Sequence, residues 1–484
     1  MVGSRARGRR GRGVKLLLTT EGTYPSIMGG VSTWCDQLVR GMAEHEYHLL
    51  EVTGPLPTKP AYALSANVRG LTSVRLWTPR SGRPGKGRGS ERTFARGLER
   101  LLGFAEDDLE SFATGLLDLA TLGTDVDLWP YFDKRSTWEA VRVAIWRTNG
   151  EAPPMAEVAL AVNWLKGTLG PLLFIPPHAD QAHTTSNGLS AIPAWLVAKA
   201  YGVPLMLTEH GLYLRERYLS LTSEENPPGL KLLRSRFYYA LARMMYQEAD
   251  LIVSVSEFNR TWQIELGAPA ERTRVVYNGV APEAFPVATT DTQSRPTVSW
   301  VGRIDPIKDL ETLVRSFTTV TKSAPEAKLK LFGPVPKGNE EYDAKVKGLV
   351  RDLDLGGSVT FEGPVKPVHH AYHAADVVAL SSISEGFPYV AIEAMMCGRP
   401  VVATQVGGVG EAVGDFGRMV DPRSPDELGA ALTELLVDVP LRRRLGVGAR
   451  ERALQLFTLS RMYDGYRGLY GELGVRARKQ ARAV

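Results

Sequence analysis

The segment 377–402 constrains the fold more than any other part of the sequence. Residues 377–382 and 401–402 open two apolar runs without charge, which is typical of strands buried on both faces of a parallel sheet. Between them, Pro388 suits the start of a helix because its missing N–H costs nothing there, and Gly398 lies where a left-handed residue ends a helix. The segment therefore predicts strand, turn, helix and strand, the repeating unit of a doubly wound α/β sheet.

The turn before this helix combines an anion site with two carboxylates. The N–H groups near Gly386, Phe387 and Pro388, together with the positive end of the helix, are suited to a phosphate or a sugar hydroxyl. Glu385 lies in the turn and Glu393 within the helix, so the pair can hold two hydroxyl-bearing parts of one ligand. Two solvated glutamates are the alternative interpretation, since most helical Glu residues are solvated.

The complete string resembles the donor-site signature of glycosyltransferase family 4. It reads Glu-Gly-Phe, a variable run, Glu-Ala, Gly-Arg-Pro-Val-Val-Ala-Thr, and then Gly-Gly-Val-Gly-Glu at 407–411. The resemblance implies a retaining sugar-nucleotide transferase in which Glu385 faces the donor sugar and Glu393 holds the ribose. It also places Gly386, Phe387 and Pro388 against the donor.

A second cluster follows the predicted strand 297–301. Gly302 is followed by Arg303 and Lys308, two cations that can neutralise a diphosphate leaving group without a metal. Surface salt bridges are the alternative, but the string matches a V-G-R…K-D pattern of the family. Val365 follows a later strand, where the resemblance implies that backbone atoms hold the base.

The first half carries a similar pattern. A buried strand at 14–19 precedes Gly29 and Gly30, which would let the backbone approach a phosphate closely, although a plain tight turn is equally compatible. His210 follows the carboxyl end of the predicted strand 204–208, at the edge where open α/β sheets bind ligands. A structural histidine is the alternative; in the family, a His at this place often contacts the donor sugar.

The string TEHGLYLRERY around His210, with TTEGTYPSIMGGVSTW near the start, resembles the Pel-type exopolysaccharide glycosyltransferases. These also carry a long insertion in the first domain. The resemblance implies UDP-glucose or a close UDP-hexose as the donor, a glycan or lipid-linked acceptor, and a membrane polysaccharide synthase complex as a partner. No cofactor or metal is expected, because no Asp-x-Asp motif follows any predicted strand.

The length of 484 residues predicts more than one domain. We expect an α/β protein of GT-B architecture, with two Rossmann-like domains facing a central cleft and a helical insertion in the first. The predicted parts are a basic disordered tail (1–13), an N-terminal domain (14–285) with an insertion at about 57–172, a nucleotide-sugar-binding domain (286–456), and a C-terminal helix that returns to the first domain and ends in a basic tail (457–484). Within the insertion, 80–92 is Gly- and Arg-rich and predicts a mobile loop.

Composition limits the remaining possibilities. Lys and Arg exceed Asp and Glu, 58 against 53, and the excess is concentrated at the two ends of the chain. Disordered, solvated tails explain this better than a contact with anionic lipid or nucleic acid, and no nucleic-acid partner is expected. Cys35 and Cys397 have no metal-ligand spacing, which suits a reducing compartment. Because no apolar run approaches the ~20 residues of a membrane span, we expect a cytoplasmic protein, or one peripheral at the inner face of the membrane.

Two other functions fit the same motifs. A nucleotide-sugar epimerase would hold the diphosphate in the same way but needs a carboxylate placed for elimination. A non-catalytic scaffold subunit of a polysaccharide synthase would not need Glu385, Glu393, Arg303 and Lys308 together, so their presence favours the enzyme.

Overall fold

The structure is a computed structural model that describes residues 13–55, 59–78, 90–103, 108–174, 177–287 and 295–483. These residues form two compact units. Unit 1 comprises the described residues of Met1–Val253, Gln263–Arg274 and Arg467–Val484, and unit 2 comprises those of Ser254–Trp262 and Val275–Tyr466. No helix in the described ranges is long and apolar enough to cross a membrane.

Unit 1 is built on a seven-stranded sheet. Its strands are Lys15–Glu21 (β1), Glu46–Thr53 (β2), Val68–Arg75 (β3), Gln181–Thr184 (β4), Leu205–Glu209 (β5), Leu251–Ser254 (β6) and Thr273–Val275 (β7). They lie in the order β3-β2-β1-β4-β5-β6-β7, and β1 pairs in parallel with both β2 and β4. Since β1 is central, its Leu16, Leu17 and Leu18 are buried on both faces of the sheet.

The helices of unit 1 cover this sheet and fill the insertion. They are Gly30–Gly41 (α1), Ser90–Leu102 (α2), Leu109–Asp125 (α3), Arg135–Asn149 (α4), Met155–Thr168 (α5), Ala191–Tyr201 (α6), Tyr213–Ser223 (α7), Pro228–Glu248 (α8) and Glu257–Glu265 (α9), the last of which begins in unit 2. Inserted helices pack on α8 through aromatic rings: Phe112 and Trp164 both meet Phe237, with ring centroids 5.5 and 5.3 Å apart. The insertion therefore shares one core with the sheet.

Unit 2 repeats the arrangement with six strands. These are Thr297–Val301 (β8), Lys328–Phe332 (β9), Val359–Gly363 (β10), Val377–Leu380 (β11), Val401–Thr404 (β12) and Gly417–Val420 (β13), in the order β10-β9-β8-β11-β12-β13 with parallel pairing throughout. Its helices are Leu310–Ser323 (α10), Glu340–Asp352 (α11), His369–His373 (α12), Tyr389–Met396 (α13), Val409–Val413 (α14), Pro425–Val437 (α15) and Val439–Leu456 (α16). The final helix, Leu459–Ala483 (α17), has residues in both units.

Two doubly wound parallel sheets confirm the predicted α/β class. Some predicted limits are wrong. β3 pairs with β2, so the insertion cannot start near residue 57, and its described helices begin at Ser90. The last residues of the predicted loop 80–92 belong to α2, and α17 continues to Ala483 where a disordered tail was predicted. The rest of that loop and the predicted tail 1–13, except Gly13, lie outside the described residues.

Candidate functional site

The strand-turn-helix element of unit 2 has the predicted form. β11 is buried, Pro388 is the extended N-cap of α13, and Gly398 has a φ of 73° directly beyond the C-cap. Because the six strands are parallel, the turns that follow β8, β10, β11 and β12 lie at one edge of the sheet. That edge holds Gly302, Arg303, Lys308, Val365, Glu385, Gly386, Phe387 and Pro388.

Glu385 is held by two donors on the same oxygen. Lys308 Nζ lies 2.6 Å from Glu385 Oε1, and Ser382 Oγ donates to that oxygen at 2.6 Å. The turns that carry them are joined by two further hydrogen bonds, since Ser381 Oγ donates to Lys308 O at 2.7 Å and Ile383 N to Ile307 O at 2.8 Å. The ion pair is mostly buried, with side-chain exposures of 24% for Lys308 and 14% for Glu385.

Arg303 is placed differently from Lys308. Its side chain is exposed, and no hydrogen bond or ion pair within the described part of the chain engages it. The two predicted cations therefore share one loop, but only Lys308 is already paired with a carboxylate. An exposed guanidinium at this edge is available to an anion.

Glycines bring the strand ends close together. Gly302 N donates to Phe332 O and Gly333 N to Gly363 O, both at 2.9 Å. A Cβ on Gly333, whose φ is 145°, would stand 1.6 Å from Gly302 O. Val365 follows this group, half-buried in the loop after β10. Backbone atoms thus line this part of the edge.

The second glycine motif packs on the backbone around Glu385. Gly408 N donates to Gly386 O at 3.0 Å, and a Cβ on Gly407, whose φ is 55°, would stand 1.7 Å from Glu385 O. Phe387 is only 6% exposed, and its ring stacks on Tyr277 with centroids 5.4 Å apart. The Phe387 side chain therefore belongs to the core, and a donor could meet only its backbone.

Glu393 lies on α13 and is half-buried. Tyr372 OH donates to Glu393 Oε2. Burial raises the pKa of the Glu393 carboxyl to about 7, and the tyrosine hydrogen bond opposes that rise. Neither Tyr372 nor Ser382 was identified from sequence. Ser382 precedes Glu385 closely enough to have been considered, whereas Tyr372 is 21 positions from Glu393 and shows no sequence signal.

The predicted residues of unit 1 form a second group. Gly29 is the N-cap of α1 and Gly30 its first residue, both exposed. On the same helix, Trp34 packs edge-on against His210, with ring centroids 4.5 Å apart. Burial lowers the pKa of His210 to about 3, and its Nε2 is buried without a partner among the described residues. His210 is therefore a neutral histidine with one unused polar atom.

Two buried groups beside His210, His183 and Glu209, show no motif that would identify them from the sequence. His183 bonds Thr208 Oγ1 and Tyr470 OH, both at 2.8 Å. Glu209 accepts from Tyr246 OH at 2.6 Å and from Gln263 Nε2 at 2.9 Å, and burial raises its pKa to about 7. Both are satisfied by protein partners, so we interpret them as supports of the β5 strand end.

Comparisons with known proteins agree with this chemistry. Residues 285–452 match the family model described as glycosyl transferases group 1, and residues 14–271 match one described as a domain of unknown function (DUF3492). Within the described residues, no group of three or more His, Cys, Asp or Glu is arranged to hold a metal ion.

Several relatives are named D-inositol 3-phosphate glycosyltransferase. The protein from Stackebrandtia nassauensis is 31% identical over 316 residues, 61% of this chain and 69% of its own. That from Frankia alni is 34% identical over 298 residues, 57% and 70%. The Kineococcus radiotolerans protein is 30% identical over 363 residues, 65% and 82%.

Solved structures share the fold at low identity. Anabaena HepE in complex with UDP and glucose has a TM-score of 0.63 at 17% identity, over 95% of this chain and 99% of its own. Sucrose-phosphate synthase from Thermosynechococcus elongatus has a TM-score of 0.61 at 21% identity, over 96% and 99%. These neighbours confirm the GT-B class. Together the matches show that this chain belongs to the group 1 glycosyltransferases and that its first half is a DUF3492 domain.

Proposed function

We propose that the protein is a metal-independent, retaining hexosyltransferase that moves glucose, or a close hexose, from a UDP-sugar to a glycan or lipid-linked acceptor in exopolysaccharide synthesis. One observation carries the proposal. On a single strand-turn-helix element, Glu385 and Glu393 each have one oxygen held by protein donors and a second oxygen without a partner in the described chain. Two fixed carboxylates with a free oxygen each are suited to two groups of hydroxyls on one ligand.

The reaction also requires positive charge that stabilises the leaving diphosphate, and two cations would supply it. When the donor reacts, the bond between its anomeric carbon and the diphosphate breaks, the acceptor hydroxyl bonds to that carbon and loses its proton, and UDP leaves with the extra negative charge. Arg303 and Lys308 lie at the edge that would receive this charge. Lys308 would then exchange part of its contact with Glu385 for the diphosphate, which couples the leaving group to the carboxylate that faces the sugar.

The donor and the acceptor are proposed on different grounds. The resemblance to Pel-type enzymes favours UDP-glucose, and HepE, which shares the fold, has been described with UDP-glucose bound; this shows only that the fold can hold such a donor. The named relatives favour D-inositol 3-phosphate as a second candidate acceptor. In the proposed role, a membrane polysaccharide synthase takes the product at the cytoplasmic face.

A donor and acceptor screen tests the proposal. Purified protein is incubated with labelled UDP-glucose, GDP-mannose or ADP-glucose, each with a membrane extract, with D-inositol 3-phosphate, or without acceptor. We expect acceptor-dependent transfer from UDP-glucose, an α-configured product, and full activity in EDTA. Transfer from GDP-mannose alone, a β-configured product, or activity that requires Mn²⁺ would contradict it.

The arm without acceptor distinguishes the alternatives. Conversion of the UDP-sugar to an epimer without acceptor would indicate an epimerase. UDP binding without turnover of any donor would favour the scaffold role. The Arg303→Ala variant tests the leaving-group site. We expect it to lose about 2–4 kcal/mol of transition-state stabilisation.

A further inference from the structure

The carboxyl ends of three adjacent strands in unit 1 carry a polar cluster, which Glu21, Glu216 and Arg217 form. β1, β4 and β5 are neighbours in the sheet, and β1 ends at Glu21. Tyr213 OH, from the start of α7, donates to Glu21 Oε1 at 2.7 Å. Ser190 N, from the turn between β4 and α6, donates to Glu21 Oε2 at 3.2 Å. The turns after these three strands are therefore tied to one carboxylate.

Arg217 is held in this cluster by aromatic rings. Its guanidinium carbon lies 4.9 Å from the ring centroid of Tyr213 and 6.0 Å from that of Tyr238. Within the described residues, no hydrogen bond or ion pair engages the Arg217 side chain, and its Nε is buried without a partner. Because the side chain as a whole is only half-buried, its outer N–H groups are open to the oxygen atoms of a ligand.

Glu216 places a second unsatisfied group beside Arg217. Its side chain folds back onto the turn after β5, where a Cβ on Gly211 would stand 2.4 Å from Glu216 Oε1. The carboxylate makes no hydrogen bond or ion pair with any described part of the chain. Solvent reaches the residue, yet burial raises the pKa of its carboxyl; Arg217 and Arg215 oppose this rise, and Glu21 adds to it. A carboxyl that is accessible but desolvated by surrounding protein lies in a depression of the surface.

The charges around this depression balance. Two arginines and one other carboxylate act on Glu216, namely Arg215, Arg217 and Glu21. A phosphate entering the depression would meet two carboxylates, whose repulsion offsets the attraction of the arginines. An ionised carboxylate only accepts hydrogen bonds and a guanidinium only donates them. The pair of Glu216 and Arg217 therefore matches a neutral ligand with neighbouring hydroxyls, which offer both donors and acceptors.

We propose that Glu216 and Arg217 are specificity-determining residues that bind hydroxyls of the acceptor and select a sugar without a phosphate group. This inference rests on the proposed function and distinguishes its two candidate acceptors. The neutral end of a glycan fits the polar cluster, whereas D-inositol 3-phosphate brings a charge that Glu21 and Glu216 oppose.

Acceptor binding is measured without turnover, so that the test does not depend on the choice of donor. Saturation-transfer NMR on the full chain, with UDP present, compares three neutral disaccharides (cellobiose, maltose and lactose) with D-inositol 3-phosphate. We expect at least one disaccharide to bind more tightly than the phosphate. Tighter binding of D-inositol 3-phosphate than of every disaccharide, or no binding of any disaccharide, would overturn the inference.

Two glutamates provide matched variants. Glu216→Gln removes the charge of the polar cluster, and Glu225→Gln is the control because Glu225 is also exposed but makes no contact with the cluster. We expect Glu216→Gln to weaken the bound disaccharide about tenfold, as for the loss of one charge-assisted hydrogen bond, and to strengthen D-inositol 3-phosphate. A general structural defect would weaken both ligands. Glu225→Gln should change neither.

Arg217→Lys provides a second test, because lysine keeps the charge but loses the planar pair of donors. We expect it to weaken the disaccharide severalfold. Unchanged disaccharide binding in both Glu216→Gln and Arg217→Lys would refute the inference even if transfer from UDP-glucose is observed. Failure of UDP to bind, or of UDP-glucose to react, would instead count against the proposed function.

Discussion

At the residue scale, burial and one hydrogen bond act in opposite directions on the pKa of Glu393. Burial raises its pKa to about 7, and the donation from Tyr372 OH works in the opposite direction because it favours the ionised carboxylate. At neutral pH the group is therefore close to half-ionised. Small changes in its surroundings should alter its charge and, with it, its capacity to accept hydroxyls.

Removing the tyrosine hydroxyl should make nucleotide binding depend on pH. In Tyr372→Phe the pKa of Glu393 is expected to rise further, so that UDP affinity at pH 7 falls about tenfold and recovers as the pH is raised. Calorimetric titration of UDP at several pH values measures this. Glu393→Gln is the control, since it cannot ionise; a Tyr372→Phe variant with wild-type affinity at pH 7 would contradict the ribose role.

The ion pair with Lys308 predicts different effects of replacing Glu385 and Glu393. Loss of Glu385 releases Lys308 from its 2.6 Å contact, so Glu385→Ala should keep or strengthen UDP binding while turnover falls by about 1.5–3 kcal/mol of transition-state stabilisation. Glu393→Ala should instead weaken the binding of UDP. Steady-state kinetics and UDP titration of both variants test this, and equal losses of UDP affinity would refute the assignment.

His210 should act without changing its charge. Its pKa of about 3 keeps the imidazole neutral above pH 5, and its unpartnered Nε2 can exchange a hydrogen bond with a sugar hydroxyl. We expect His210→Ala to reduce sugar transfer by about 1–3 kcal/mol with little effect on UDP affinity. Any step in the wild-type pH-rate profile should therefore also appear in the profile of His210→Ala. A step near pH 6.5 that is present in the wild-type protein and absent from the variant would disprove the neutral state of His210.

At the element scale, the Gly-Gly-Val-Gly-Glu motif holds the Glu385 turn in place. Gly407 combines a φ of 55° with a potential Cβ contact of 1.7 Å to Glu385 O, whereas Gly338 has a φ of 96° and open space around it. Gly407→Ala should therefore lower both stability and turnover, while Gly338→Ala should lower stability modestly, by about 1 kcal/mol, and leave turnover unchanged. Thermal unfolding and initial rates of the two variants show whether turnover depends on the contact of Gly407 with the Glu385 turn or is lowered simply by a side chain at positive φ.

Local patterns were sufficient to predict most elements of both sheets. β11, α13 and Gly398 have the predicted form because apolar runs, a helix-starting proline and a left-handed glycine act over short distances. Contacts between distant segments were not predictable. The Lys308–Glu385 pair spans 77 positions, and the burial of Phe387 depends on Tyr277, which no local pattern connects to it.

Predicted element boundaries were wrong where the local amino-acid composition indicated a different structure. The Gly- and Arg-rich segment 80–92 suggested a loop, yet Ser90 begins α2, whose Phe94, Leu98 and Leu101 are buried. Likewise, β3 lacks strict alternation and was mostly missed. It forms because β2 offers it a parallel pairing partner, so that tertiary contact outweighs local propensity.

On the scale of the whole molecule, each unit contains a carboxyl with a raised pKa. Burial raises the pKa of Glu209 in unit 1 and of Glu393 in unit 2 from 4.5 to about 7. Between these values the folded chain holds protons that the unfolded chain releases, so these two groups make stability fall as pH rises. His183 and His210 act in the opposite sense: their pKa values fall from 6.5 to about 3, and the unfolded chain holds their protons in that range, so stability is lost as pH falls.

The two effects nearly cancel between about pH 4.5 and pH 6.5, so they should give a broad stability plateau there, with the histidines limiting the acid side and the carboxyls the neutral side. Urea unfolding of the full chain at pH 5 and pH 8 tests this. Glu209→Gln and Glu393→Gln should each shift the stability difference between the two pH values in favour of pH 8, because the glutamine has no proton to release. The double variant should add the two shifts, since the carboxyls lie in different compact units. If both single variants keep the wild-type difference, these carboxyls are already ionised in the folded chain below pH 5, and the Tyr372 argument at Glu393 fails with them.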